Sequence, residues 1–236
     1  MVQLFVKSLA APLISSALLL FMTGLIITVP GGIAGESEIR KLPDPDREGS
    51  IPLETTLQKR RSVRSFLDDP LTLQAVSQLL WAAQGITEQG GFRTAPSAGA
   101  LYPLEIYVVV RKVAGLANGL YIYTPLEHAL ILVTAGEILP MLSGAALQQD
   151  AITQVPAVFV IAGLEKKTTG KYGGRGVRYI YMESGHAAQN ICLQAVALGL
   201  DSVTIGAFTD REVARILRME KGMEPLYIIP VGKAKK

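Results

Sequence analysis

The sequence predicts a mixed α+β domain behind an apolar N-terminal segment. Short runs rich in β-branched and aromatic residues, separated by turn residues, indicate several strands. Two longer stretches have helical spacing, and one of them is 24 residues of mostly apolar and small side chains. The helices and strands do not alternate regularly, which argues against a sheet built from βαβ units.

Periodicity and turn residues place each element. A short helix starts near Glu54, an amphipathic helix covers residues 71–84 with Gly85 as its stop, and a long helix covers 176–199. Further helices are expected at 137–149 and after Thr209, where Thr209 and Glu212 have the spacing of a capping box. Strands are expected at residues 105–110, 119–123, 129–133, 157–162, 202–208 and 226–231.

The first part of the chain is strongly apolar. No charged residue occurs between Ser8 and Val29, a run of about the 20 residues that a transmembrane helix needs. It predicts a membrane anchor, or an export signal if the small residues at 30–35 are cleaved. The flanking charges, with Lys7 before the run, place the folded domain outside the cytoplasm by the positive-inside rule. We therefore expect a segment at 1–35, a linker at 36–52 and one domain at 53–236.

Composition excludes several classes of function. The 23 basic and 20 acidic residues leave a domain that is close to neutral, so it lacks the basic field of a nucleic-acid-binding protein. Cys192 is the only cysteine, which excludes a disulfide framework, and two histidines are too few for a histidine-rich metal centre. We expect no metal site and no nucleic-acid partner.

Two stretches have the chemistry of an anion site and of a ligand-facing loop. Arg60, Arg61, Ser62 and Arg64 place three guanidinium groups within five residues at the end of the first helix. They either compensate the helix dipole or hold a phosphate through bidentate contacts. Downstream, the small residues Pro96, Ser97, Ala98, Gly99 and Ala100 let backbone amides approach a flat ligand, or they form a tight turn before a strand.

A third stretch, residues 163–176, is rich in glycine and lysine and lies between a strand and a helix. It is not a P-loop. Six residues separate Gly163 from Gly170, where a P-loop has four, and Tyr172 occupies the position of the magnesium-binding hydroxyl. No G-x-G-x-x-G follows a strand either, which leaves a Rossmann dinucleotide site without support.

Taken in order, these stretches resemble the nitroreductase superfamily, and in particular its thiazole/oxazole dehydrogenase (SagB-type) branch. The resemblance rests on residues 60–66, 96–105 and 119–121, on Glu127–His128, on residues 171–173 and on 183–190, and it extends from about residue 53 to 233. Coverage of the whole domain in order is more specific than any one motif.

The resemblance implies a fold, a cofactor and a set of roles. It implies a central, mostly antiparallel sheet flanked by helices, in an intertwined homodimer with FMN at the subunit interface. Arg60, Arg61, Ser62 and Arg64 would hold the flavin phosphate and ribityl chain, with Lys233 as a further phosphate contact. The loop 96–100 would lie along the ring, where this chain has Ala100 in place of the asparagine of many nitroreductases, and Gly206 would line one face of the flavin. Lys171 and Tyr172 match a pair linked to substrate oxidation, although Gly170 replaces the leucine that precedes the pair in characterised azoline dehydrogenases.

Three functions remain open from the sequence. The favoured one is an FMN-dependent oxidoreductase that transfers hydride in two half-reactions between NAD(P)H or another donor and a small organic substrate. The second is an azoline dehydrogenase that acts on a modified peptide, and the lack of a peptide-recognition domain in this chain argues against it. The third is a flavin-binding protein without turnover.

Overall fold

The computed structural model describes residues 39–235, which form an α+β domain around one seven-stranded sheet. The strands are β1 (Ile39–Lys41), β2 (Leu104–Val110), β3 (Gly119–Thr124), β4 (Ala129–Ala135), β5 (Ala157–Leu164), β6 (Asp201–Ser202) and β7 (Met223–Gly232). Their order across the sheet is β1-β4-β3-β2-β5-β7-β6, and every pair is antiparallel. The α+β fold class and the antiparallel sheet are thereby confirmed.

Helices cover both faces of the sheet. They are α1 (Leu53–Lys59), α2 (Leu73–Gln84), α3 (Leu139–Ala145), α4 (Asp150–Thr153), α5 (Glu165–Tyr172), α6 (Arg175–Ala197) and α7 (Asp210–Ile216). Because successive strand side chains point to opposite faces, Ile106 and Val108 pack with α2 and α6, whereas Tyr107 and Val109 pack with α3, α4 and α7. In this three-layer arrangement α6 runs along one face of the central strands.

The helix predicted at 71–84 ends where expected. Its N-terminus is capped by Thr72, whose hydroxyl accepts the Ala75 amide at 3.1 Å, and its last residue is Gln84. A Cβ at Gly85 would overlap the Trp81 side chain, so only glycine fits there. The long helix is also confirmed, as α6.

Three local predictions are wrong. The strand expected at 202–208 stops at Ser202 and resumes only as a bridge between Ile205 and Ile228. The same register places Val203 opposite Pro230, which has no N–H to donate, so the ladder is interrupted. The helix expected at 137–149 is shorter than predicted: α3 ends at Ala145, and Leu147 and Gln148 adopt left-handed φ of 57° and 55°. The separate helix α4 begins only at Asp150, after the predicted range.

The third concerns the start of α7. The Thr209 side chain makes no capping hydrogen bond, so the predicted capping box does not form. Instead the Thr209 amide donates to the Ala145 carbonyl of α3 at 2.8 Å, which fixes the entry to α7 by a tertiary contact. The stretch around residues 165–172, expected only as a connection, forms α5.

The arm before α1 is attached to the domain. β1 pairs with β4, and the Leu42 amide donates to the His128 carbonyl at 3.1 Å. His128 in turn contacts the Ser77 hydroxyl at 2.7 Å and the Tyr123 hydroxyl at 2.8 Å. His128 is therefore a structural residue that joins the arm, the β3–β4 hairpin and α2.

The prediction of a membrane-anchored or exported protein is corrected here. The apolar run between Ser8 and Val29 lies outside the described residues, and within 39–235 no helix is both long enough and apolar enough to cross a membrane. The structure therefore does not support the predicted membrane partner. The prediction that the domain lies outside the cytoplasm depended on the anchor, so it is not supported either.

Candidate functional site

The arginine segment lies beside the end of the chain. Residues 60–66 run extended next to β6 and β7, where the Val63 amide donates to the Ser202 carbonyl at 3.0 Å. A few residues on, the Leu67 amide donates to the Lys233 carbonyl at 2.8 Å. Residues far apart in sequence, the arginines and Lys233, are thus brought to one corner of the domain, as the resemblance implies.

The guanidinium groups of this segment are not equivalent. Arg61 Nη1 donates to the carbonyls of Gln58 and Arg60, both at 2.8 Å, so this side chain satisfies carbonyl groups at the C-terminal end of α1. Within the described part of the chain, Arg60 and Arg64 form no ion pair and their side chains make no hydrogen bond. Arg60 is half-buried and Arg64 is exposed. The guanidinium groups of Arg60 and Arg64 are therefore the ones in this segment that remain available to bind an anion.

The small-residue loop lies against Lys171 and Tyr172. Gly99 and Ala100 have left-handed φ of 62° and 53°, a costly conformation for alanine. A Cβ added to Gly99 would meet Tyr172 Oη at 2.6 Å and Lys171 Nζ at 2.7 Å. The loop and the pair, more than 70 residues apart, therefore form one surface at the end of α5.

A buried carboxylate anchors this loop from behind. Glu183 on α6 is 4% exposed, and its Oε1 accepts the Ala98 amide at 2.8 Å. Burial raises the pKa of Glu183, while the hydrogen bonds from Ala98 and Ser97 act in the opposite direction. Ser97 Oγ also accepts the Tyr102 amide at 2.9 Å, which closes the turn that carries Gly99 and Ala100.

Sequence analysis did not single out Glu183. It lies at helical spacing from Ile180 and Ala187, both buried on the same side of α6. A carboxylate on the apolar stripe of a helix must be satisfied by a partner, and that pattern would have marked it. His186, by contrast, is exposed on the same helix.

Gly206 lines a cleft that does not include the 96–100 loop, Lys171 or Tyr172. It is exposed, and the cleft, of about 370 Å³, is also lined by Tyr181 and Ser184 of α6 and Leu226 of β7. Burial raises the pKa of the Cys192 thiol and the charge of Arg60 acts to lower it, which places Arg60 near Cys192. Cys192 is nine residues further along α6 than Glu183, a separation of about 14 Å along the helix axis. In residues 39–235 no hydrogen bond or ion pair joins the arginine corner to the 96–100 loop. One protomer thus presents two separate parts of the expected site.

Metal chemistry finds no support in the described residues. In 39–235 no three His, Cys, Asp or Glu side chains are grouped so that they could hold a metal ion. Cys192 is buried, and burial raises the pKa of its thiol, which keeps it from acting as a thiolate nucleophile.

Comparison with known proteins places the domain in a family. Residues 57–233 match the model of the nitroreductase family. The nitroreductase-like protein MJ1384 of Methanocaldococcus jannaschii is 46% identical over 199 residues, which are 84% of this chain and 98% of that protein. The microcin B17-processing protein McbC of Escherichia coli is 29% identical over 175 residues, and the match covers 70% of this chain and 63% of McbC.

Solved structures show the same fold. A nitroreductase-like protein from Ralstonia eutropha JMP134 superposes with a TM-score of 0.74 at 30% identity, covering 86% of this chain and 92% of that one. A chain of the Escherichia coli microcin synthetase McbBCD complex with truncated pro-MccB17 superposes with a TM-score of 0.66 at 25% identity, covering 83% and 78%. The family match spans three quarters of the chain, and the sheet and helices have the arrangement that the resemblance implied; the chain belongs to the nitroreductase family.

Proposed function

We propose that this protein is an FMN-dependent oxidoreductase that passes hydride from NAD(P)H or another donor to a small organic substrate in two half-reactions. The observation that carries the proposal is the juxtaposition of the 96–100 loop with Lys171 and Tyr172, whose side-chain ends would both lie within 2.7 Å of a Cβ at Gly99. Membership of the nitroreductase family supports oxidoreductase chemistry in general. FMN, when bound, supplies a ring that accepts and returns a hydride.

The arginine corner fits the phosphate of FMN. Arg60 and Arg64 have no carboxylate partner within residues 39–235, and three guanidinium groups so close together repel one another unless an anion is present. Lys233, on the adjacent strand end, has a single weak ion pair at 3.4 Å with Asp69. A phosphate would bring Arg60, Arg64 and Lys233 to one acceptor group and relieve their repulsion.

The loop fits the ring system. The Ala98 amide is taken by Glu183, the Ala100 amide donates to the Ser97 carbonyl at 3.1 Å, and the Tyr102 amide donates to Ser97 Oγ. In the described structure the Gly99 amide, like the Ser97 amide, makes no such hydrogen bond. A free N–H beside a cationic Lys171 can stabilise negative charge that develops on a ligand at this surface.

Lys171 and Tyr172 would act on the substrate. Both belong to the last turn of α5, which Gly173 ends with a left-handed φ of 57°. The Tyr172 ring packs edge-on against Tyr179 at 5.1 Å, which restricts its rotation and directs the hydroxyl along the Gly99 surface. In this role the Tyr172 hydroxyl orients the substrate or transfers a proton, and Lys171 stabilises the resulting charge.

The separation of the two parts supports a homodimer. Leu53 and Leu57 of α1 are 60% and 52% exposed, and Tyr181 and Met182 of α6 are 52% and 54% exposed. Apolar side chains at such exposure are typical of a surface that a second copy covers. In a dimer, the loop of one protomer would complete the arginine corner of its partner.

An azoline dehydrogenase is the second candidate. It is favoured by the likeness to McbC and by the Lys171–Tyr172 pair, whereas Gly170 departs from the branch at the preceding position. The match covers 63% of McbC, so this candidate rests on the part of McbC that aligns with the chain. Oxidation of a thiazoline-containing peptide, with no reduction of flavin by NADH or NADPH, would favour this candidate over the first.

The first experiment is an FMN titration of the purified full chain, followed by anaerobic addition of NADH or NADPH. We expect one FMN per protomer and bleaching of the flavin absorbance by at least one nicotinamide. The double variant Arg60→Ala/Arg64→Ala should lose FMN. The matched control Arg211→Ala/Arg215→Ala, on α7, should keep it. Full FMN occupancy in the first variant would contradict the phosphate assignment.

The dimer has its own test. Leu53→Arg places a charge in the proposed interface, and we expect a monomer by light scattering with weakened FMN binding. Leu126→Arg is the control, because Leu126 is 80% exposed at the β3–β4 turn. A Leu53→Arg protein that remains dimeric would exclude this surface.

A further inference from the structure

A second cavity lies next to the turn that carries Gly99, and its central group is Arg93. The cavity has a volume of about 200 Å³ and lies between the end of α2, the start of β2 and the end of β3. Leu104, Ile106 and Ile122 give it apolar walls. The exposed Lys167 of α5 is at its mouth, and Arg93 is half-buried further in.

The Arg93 guanidinium is held in place but only partly used. Nη1 donates to Gln84 Oε1 at 2.8 Å, and the guanidinium carbon lies 4.4 Å from the centre of the Tyr102 ring. The Nε–H is buried and has no hydrogen-bond partner. Within residues 39–235 no hydrogen bond reaches Nη2 either, so neither Nε nor Nη2 has an acceptor.

No carboxylate of the described chain neutralises Arg93. It takes part in no ion pair among residues 39–235, and the groups that act on it electrostatically are Tyr102 and Tyr123. Glu105 lines the same cavity, but the cations that act on it are Lys167 and Lys166. Burial raises the pKa of Glu105 and lowers that of Arg93, as expected for two groups that are not paired with each other.

A buried cation without a counter-ion is costly, and a buried N–H without an acceptor adds to the cost. A free Nε–Nη2 edge matches the two oxygens of a carboxylate in the bidentate geometry that guanidinium prefers. The apolar side chains of Leu104, Ile106 and Ile122 leave room for a short hydrocarbon body, beside the polar Gln84, Thr124 and Lys167 of the same lining. We propose that the Arg93 cavity is a binding site for a small organic carboxylate, an alkyl or aryl acid.

The site is distinct from the surface at Gly99 and does not depend on FMN. Arg93 touches Tyr102, whose amide is held by Ser97 Oγ, so an occupant would lie behind the loop rather than on it. Binding can therefore be measured on the protein itself without any turnover.

The test is a titration of the arginine Nε–H resonances of the full chain, labelled with ¹⁵N-arginine, at constant ionic strength. Benzoate is the probe, and benzamide is its neutral counterpart of the same shape. We expect the Arg93 signal, identified by its loss in Arg93→Lys, to shift in a saturable way with benzoate below about 10 mM and not with benzamide. No saturable shift with benzoate, or an equal shift with benzamide, would overturn the proposal.

Two further arms test the assignment and the ligand class. Arg93→Lys keeps the charge but loses the two-pronged edge, so benzoate measured by calorimetry should bind about tenfold more weakly. The control Arg47→Lys, in the exposed arm, should bind as the wild-type chain does. Equal benzoate affinity in Arg93→Lys, or phosphate that binds at Arg93 more tightly than benzoate, would contradict a carboxylate site.

Discussion

Gly99→Ala tests whether the loop and the Lys171–Tyr172 pair form one working surface. The added Cβ would lie 2.6 Å from Tyr172 Oη and 2.7 Å from Lys171 Nζ, against an ordinary contact of about 3.5 Å. Both side-chain ends must therefore move by about 1 Å, and a displacement of that size in a catalytic group costs on the order of 10²-fold in rate. We expect kcat/KM to fall by about that factor.

The same substitution has a backbone cost, which a matched control removes. Gly99 has φ of 62°, where alanine costs roughly 1–2 kcal/mol, or a few degrees in Tm for a domain of this size. Gly199→Ala has the same kind of cost, because Gly199 has φ of 70°, but its Cβ would meet nothing within 4 Å. Both variants should lose similar stability, and only Gly99→Ala should lose activity.

The assay is stopped-flow reoxidation of the reduced flavin by p-benzoquinone, with FMN affinity and Tm measured on the same preparations. Comparing the two glycine variants separates the side-chain contact from the backbone strain. Equal turnover in Gly99→Ala and Gly199→Ala, at equal loss of Tm, would refute the idea that these residues share one site.

Two other predictions concern the groups around this surface. Glu183→Gln should make the stability of the protein less dependent on pH. Burial raises the pKa of Glu183 above its ordinary 4.5, so between 4.5 and the raised value the folded state binds more protons than the unfolded state. The stability of the wild type therefore falls as pH rises through that range. Thermal melts between acidic and neutral pH should show the variant gaining on the wild type, and parallel curves would mean that burial of this carboxyl has no such cost. Lys171→Ala and Tyr172→Phe should slow substrate oxidation by more than they weaken FMN binding, as measured by single-turnover rates against FMN titrations; unchanged rates in both would give the end of α5 a structural role only.

Local pattern was sufficient for most of the fold. Short runs of β-branched and aromatic residues in β2 and β5 and the apolar face of α2 predicted elements that the structure contains, because burial on one or two faces determines which residues occur there. What failed depended on distant partners. The interruption after Ser202 comes from Pro230, which is 28 residues further along, and the start of α7 is set by Ala145.

The candidate site divides in the same way. Motif and resemblance identified the arginine segment and the 96–100 loop, since each is contiguous in sequence. The position of Glu183 on the apolar stripe of α6 indicates that it needs a partner, but only folding shows that the partner is the Ala98 amide. Arg93 is an isolated residue whose importance appears only when folding brings it against Gln84 and Tyr102. The distinction between Arg61, which serves the end of α1, and Arg60 and Arg64, which do not, also required the structure.

The most direct measurement of the central claim is equilibrium FMN binding to the full chain, followed by flavin fluorescence and absorbance in wild type and in Arg60→Ala/Arg64→Ala. The account predicts saturation at one FMN per protomer in the wild type and loss of that binding in a variant that keeps its Tm. A folded wild-type protein that remains colourless in excess FMN would contradict it.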